Sequence, residues 1–508
     1  MRRLLSSQIN PASLASPFYA LGTALGLKQP GKRDGWSVVG RMLMPRAGAA
    51  VVRLPDGKVL IAGGESTGGY TQIVEIFDPE TRRSQIIEAQ MIAPRAYHTA
   101  TLLGDGKVLL VGGENSDGNV NSAELFDPER QTFTLIEGNL ITARSRHSAT
   151  LLPDGSVLIT GGRAGERVLD STERYDPENQ IFIESGRLTV RRAGHSAVLL
   201  PSGELMIAGG NDGENDLDTT EVGNSETLAF SPAEIRLPFK RAWAAAQFLE
   251  GNGTVMFAGG NVDGVVSGEV ELYNPHKKQF AATNRMRMSR TTPGSALVTE
   301  TQAMIFGGRD AEGNLLDTIE AYLFSTIRTD KKIYRPGQLV KMIGRGWEPG
   351  ETVEPILEES PEKHDKHTLT AVADENGRIN NEEFIIERLE NNDSSREYTL
   401  IATGRSSGRA AQAVFKDAVA NAIYRSRQTG NWNSSITWEI STDGGSSFSN
   451  ASDTPGTNLG NEVRIRNGHT VTLDTSPANA ITQLTVGEGS SGILTLGNNT
   501  TLQQGLLL

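Results

Sequence analysis

One segment of this 508-residue chain is written six times. Its third copy, Arg144 to Gly162, reads RSRHSATLLPDGSVLITGG, and the copies that open at Arg95 and Arg192 read RAYHTATLLGDGKVLLVGG and RAGHSAVLLPSGELMIAGG. Three markers keep step. The arginine recurs as Arg46, Arg95, Arg144, Arg192, Arg241 and Arg290, at spacings of 49, 49, 48, 49 and 49 residues. A double glycine follows each, the first being Gly63-Gly64 and the last Gly307-Gly308. A glutamate comes 29 or 30 residues after each arginine: Glu75, Glu124, Glu173, Glu221, Glu271 and Glu320. A period of this length means that each copy is one supersecondary unit, which must stack on its neighbours to cover its apolar faces.

Each unit reads as four strands. In the third, HSATLL and SVLITGG flank the turn PDG, where glycine supplies the positive φ of a tight hairpin. STERYDP, stopped by Asp176-Pro177, is the third strand and IFIESGRL the fourth. The run Val157-Leu158-Ile159 is continuously apolar, which suits a strand buried on both faces.

The double glycine, the downstream YDP and the aromatic after it resemble the kelch repeat. The resemblance runs from Trp36 to about Phe324 and implies a β-propeller with one four-stranded blade per repeat. It also implies that the first strand of each blade lines the central channel. Departures are local: the aromatic is Phe133, Phe182 or Phe280 rather than tryptophan, unit one has Ser84 there, and unit four replaces YDP with VGNSETLAF. Unit six ends at DTIEAYLF without a fourth strand. WSVVGRMLMP supplies one, because Trp36 stands 10 residues before Arg46 as Phe182 does before Arg192. The segment 36–44 is therefore expected to complete blade six and close the ring.

Two readings of the arginines stay open. Six guanidinium groups around one mouth would hold an acidic sugar or peptide, since arginine grips carboxylates bidentately. A glutamate inside an apolar strand, as in IVEIF, needs a buried partner, and the arginine repeated with it is the simplest. We favour blade-to-blade pairing. His98, His147 and His195 recur in units two to four, where units one, five and six carry Ala49, Ala244 and Gly294; we read them as packing positions and expect no metal. The Asp/Asn/Gly-rich loops, such as 211–218, read as turns rather than calcium sites.

The pattern then changes. Residues 325–418 carry alternating strands, Pro-Gly turns and a closing YTLIATG strand, which resembles an immunoglobulin-like β-sandwich. Asp374 to Glu383 imitates part of an EF-hand loop, but a hairpin explains it better. His364 and His367 in HDKH read as loop residues. Residues 419–508, rich in Ser, Asn and Gly, repeat short strands about every 20 residues and look like the first rungs of a parallel β-helix. The apolar GLLL end and the NNT motif at Asn498 lack a polar cap and carry little weight respectively. Residues 1–35 read as an unstructured leader, a secretory signal being the alternative.

The expected fold is thus all-β: a six-bladed kelch propeller at 36–324, a sandwich, and a partial β-helix. A net charge of −12 argues against a nucleic-acid partner, and no 18-residue apolar run predicts membrane insertion. With no cysteine, the chain forms no disulfide and cannot build the copper and cysteine-linked tyrosine centre of the galactose-oxidase group, whose layout it partly resembles. No nucleophile–base motif is visible. We expect a non-catalytic binding or adhesion protein of the bacterial surface or exterior, without a cofactor, that takes a glycan or protein ligand. The alternatives are an epimerase-like kelch enzyme acting on sugars and a cytoplasmic kelch adaptor.

Overall fold

The computed structural model describes residues 35–334, 337–360, 366–386, 396–417, 423–431, 434–441, 449–451, 461–465, 470–473, 481–486 and 493–496. The leader, His364, Asn498 and the terminal GLLL lie outside the described residues. Among the described residues the regular secondary structure is all strand, apart from a single short 3-10 turn at Ser435–Thr437.

It divides into two compact units. The first, Met1–Thr326 with Ser406–Arg409, holds the repeats. Each folds into a four-stranded antiparallel sheet, and in the first five chain order is spatial order; in the third the strands are Ser148–Leu151, Val157–Thr160, Ser171–Asp176 and Ile181–Arg187. The first strands Ala50–Arg53, Thr99–Leu102, Ser148–Leu151, Ser196–Leu199, Ala245–Leu249 and Gly294–Thr299 touch one another in a closed cycle. The sheets therefore form a ring. Second strands such as Val108–Val111 are buried along their whole length, as a continuous apolar run demands. Each of the six interfaces between neighbouring sheets has its own apolar cluster. Between the second and third sheets, for example, Leu109 and Val111 meet Val157, Ile159 and Tyr175.

The sixth sheet takes its outer strand from the start of the chain. Ser37–Arg41 pairs antiparallel with Thr318–Leu323, setting Ser37 opposite Ala321. Trp36, 2% exposed, stacks on Tyr322 with ring centroids 5.3 Å apart and donates its indole N–H to the carbonyl of Asn284 at 3.0 Å. Unit four keeps its sheet despite losing YDP: Thr219–Asn224 and Phe230–Arg236 pair antiparallel, with a register shift between Thr219 and Glu221. The segment after each double glycine was expected to be a loop, but in four repeats it forms a small hairpin, such as Glu65–Ser66 with Gly69–Tyr70 and Arg163–Ala164 with Arg167–Val168.

The second unit comprises Ile327–Arg405 and Ala410–Leu508. Thr326–Thr329, Leu339–Arg345 and Ile379–Ile385 make one sheet. Thr352–Ser360, Glu397–Gly404 and Ala410–Asp417 are the long strands of another. Val340, Met342, Trp347, Leu357, Tyr398 and Phe415 share one core. Asp374 accepts the backbone N–H groups of Asn376 and Arg378, so its carboxylate is occupied in closing a hairpin turn. Farther on, two columns of parallel strands stack in register. One joins Ile423–Ser426, Asn461–Ile465 and Ile481–Val486, and the other Gly430–Asn431, Thr470–Leu473 and Ile493–Leu496.

Candidate functional site

The repeated arginines and glutamates meet, and they do so inside the protein. Arg46, Arg95, Arg144, Arg192, Arg241 and Arg290 lie 2.5–2.7 Å from Glu75, Glu124, Glu173, Glu221, Glu271 and Glu320 respectively, every side chain at most 3% exposed. In the third repeat, Nη1 of Arg144 donates to the carbonyls of Gly161 and Ser171, and Nη2 to Ser171 Oγ and Glu173. Glu173 also accepts the N–H groups of Ile141 and Thr142. Burial pulls the guanidinium pKa down, and Glu173 partly restores it.

The pairing differs from the blade-to-blade bridge expected above. Each pair lies within one repeat, and the crossing between sheets is made by the arginine backbone. The carbonyl of Arg95 accepts the N–H of Gly64 at 2.9 Å, and its N–H donates to Thr71, both in the preceding sheet. A Cβ on Gly63, whose φ is +61°, would lie 2.5 Å from that carbonyl. The arginine and the double glycine are thus two halves of one joint: the backbone of the arginine docks on one sheet while its side chain enters the next. Only glycine leaves room for it.

The fifth joint differs from the others, for a reason written in the chain. Elsewhere the residue three before the arginine donates its N–H to the glutamate, as Leu43 does to Glu75. In repeat five that residue is Pro238, which has no N–H. Glu271 Oε1 is buried without a partner, and burial raises the pKa of this carboxyl.

Two residues after each arginine the backbone makes a second, closed ring. Gly48, Tyr97, Arg146, Gly194, Trp243 and Thr292 each donate an N–H to the carbonyl of the one before, and Gly48 donates to Thr292; the six distances run from 2.7 to 3.1 Å. All six residues have φ between +51° and +62°. This conformation costs glycine little, but bulky or β-branched residues adopt it at a strain of about 1–3 kcal/mol. Tyr97 lies over Gly48 and Trp243 over Gly194, where an added Cβ would meet the aromatic rings at 2.5 and 1.9 Å. The Arg146 guanidinium sits 4.4 Å from the Tyr97 ring centre and 5.6 Å from that of Trp243.

Around this inner ring stands an outer one, formed by the residue that follows each double glycine: Glu65, Glu114, Arg163, Asn211, Asn261 and Arg309. Each is bridged by backbone to the inner segment, as in Ala47 with Glu65 and Ser145 with Arg163. Glu65 accepts from Tyr97 Oη at 2.8 Å and pairs with Arg309 at 2.9 Å. Glu114 accepts from Arg146 at 2.9 Å, Ser145 Oγ at 2.7 Å and Tyr70 Oη at 3.3 Å. Burial and the hydrogen bond to Glu65 push the Tyr97 phenol up to about 12, so it stays protonated. These residues are partly exposed, and together they make a polar and aromatic face at the start of the first strands.

None of this face was among the residues expected to bind. His98, His147 and His195 lie just behind it, each with Cε1 placed 2.9 Å from where a Cβ on the preceding sheet's first paired glycine would stand. They are packing residues. No group of three or more His, Cys, Asp or Glu side chains able to hold a metal ion occurs among the described residues. In the 211–218 loop, Asp212 accepts two backbone N–H groups and Asp216 the amide of Asn211.

Residues 32–210 match the family model described as the KLHDC2/KLHL20/DRC7 Kelch-repeats domain. The chain therefore carries a kelch-repeat domain. No curated protein matches it.

Proposed function

We propose that residues 36–324 form a six-bladed kelch propeller whose inner and outer rings are the docking face for a ligand. An immunoglobulin-like sandwich at 325–418 and a β-helix-like module at 419–508 complete a non-catalytic binding protein of the cell surface or exterior. The ligand is a glycan or a protein. The observation that carries this reading is the strained inner ring. Gly48 and Gly194 take the ring's backbone conformation at little cost, yet Tyr97, Arg146, Trp243 and Thr292 occupy the equivalent positions with large or branched side chains. Strain kept at a partly exposed face points to binding.

The test is a glycan array and a protein-capture screen run on the whole chain and on Tyr97→Ala and Trp243→Ala. Signal lost in both variants, with melting temperature within a few degrees of the parent, supports the reading. Signal unchanged in both contradicts it, and sugar turnover by the parent would favour the enzyme alternative.

A further inference from the structure

We propose that the position between repeats three and four is a carboxylate subsite for an acidic sugar, with Arg163 as its anchor and Trp243 as its stacking surface. The proposal rests on the docking face just described and names its ligand chemistry.

The rings obey a rule: a side chain of the inner ring leans back to satisfy the outer-ring residue of the preceding repeat. Tyr97 of repeat two bonds Glu65 of repeat one, and Arg146 of repeat three bonds Glu114 of repeat two. By that rule the residue that should satisfy Arg163 of repeat three is the inner-ring residue of repeat four. That residue is Gly194, which has no side chain.

Arg163 accordingly has no hydrogen-bond or ion-pair partner for its side chain among the described residues, and its Nε is shut off from solvent without an acceptor. The other two arginines of the face are matched: Arg146 by Glu114 and Arg309 by Glu65. The two carboxylates are matched in turn. The face therefore holds one positive charge in excess, on a chain whose net charge is −12. A guanidinium in this setting lacks a planar anion, and a carboxylate fits its fork.

The surroundings select among carboxylates. The Trp243 ring lies against Gly194 and fills the space that a side chain there would take. An aromatic plate on the same face as a partnerless guanidinium suits the apolar face and the carboxylate of a hexuronate residue. An acidic peptide would use the arginine and leave the plate unused.

The experiment is calorimetric titration of the full chain with trigalacturonate, its methyl ester, and an oligoglutamate peptide, using the parent, Arg163→Gln, and Arg53→Gln at the far end of a first strand as control. We expect trigalacturonate to bind the parent and the control alike, and to bind Arg163→Gln about tenfold or more weakly, the scale of one lost charge-assisted contact. The ester should bind the parent as weakly as the acid binds the variant. Equal binding of acid and ester, equal binding to Arg163→Gln, or preference for oligoglutamate overturns the subsite. If the array ligand still depends on Tyr97 and Trp243, the docking face survives that failure; if it does not, both readings fall together.

Discussion

Arg144→Ala is expected to lower the unfolding free energy by about 3–5 kcal/mol, the usual cost of breaking a buried ion pair from one side. The substitution strands Glu173 without its counter-charge. It also removes the donors that satisfy the carbonyls of Gly161 and Ser171. Because the backbone of the same residue joins two sheets, damage to the joint is not confined to one sheet. A loss of this size is a large share of the roughly 5–15 kcal/mol that typically separates folded from unfolded domains. Arg144→Lys should rescue little, since one ammonium cannot reproduce a fork that reaches two carbonyls, a hydroxyl and a carboxylate. Denaturant unfolding of the three proteins checks this. A midpoint for Arg144→Ala equal to the parent's would show that the pair is not structural.

The second large effect is acid lability. His98, His147 and His195 are buried, and burial, reinforced by the nearby guanidinium groups of Arg95, Arg144 and Arg192, drives their pKa values far below the usual value for histidine; that of His147 falls to about 3. His147 faces Thr99 Oγ1 at 3.1 Å and His195 faces Thr160 Oγ1 at 2.9 Å, neither of which supplies a charge to hold a proton. The sign follows from linkage. Above pH ~6.5 these histidines are neutral whether the chain is folded or not, and their contribution is full. Below it the unfolded chain takes up protons that the folded chain refuses, so stability falls as pH falls. Each histidine contributes about 1.4 kcal/mol per pH unit, or about 2 kcal/mol between pH 6.5 and 5. Unfolding curves at stepped pH should show a steep loss over that interval, shallower by one third in His147→Gln. A flat profile from pH 7 to 5 would mean that these rings are not buried neutral.

The legible part of this fold was what recurs. The arginine, the double glycine and the glutamate are repeated because the joint between sheets is repeated, so their spacing exposed the repeating unit; the ring was what the kelch resemblance implied, and the offset of Trp36 from Arg46 pointed to its closure. The roles within the joint were less legible. A sequence shows that Arg144 and Glu173 belong together, but not that the crossing between sheets is made by the arginine's carbonyl on a glycine of the sheet before. The proposed docking face escaped for the opposite reason. At the inner ring the backbone repeats while the residues change, from Gly48 through Tyr97 and Arg146 to Trp243, and a search for repeated residues passes over such positions. A signal existed: a fixed offset from the arginine at which glycine in some repeats is replaced by large or branched side chains in others marks a positive-φ site.

Closure of the ring by the start of the chain is the claim on which the rest depends. Arg41, on the entering strand, lies 2.7 Å from Asp317 on the surface of the sixth repeat. The chain has no cysteine, so Arg41→Cys with Asp317→Cys places the only two thiols side by side. Treatment with a short bis-maleimide should give a monomer cross-linked within itself, identified by mass spectrometry of the joined peptides. Cross-links only between molecules, or none at all with both thiols reactive, would contradict closure and with it the ring.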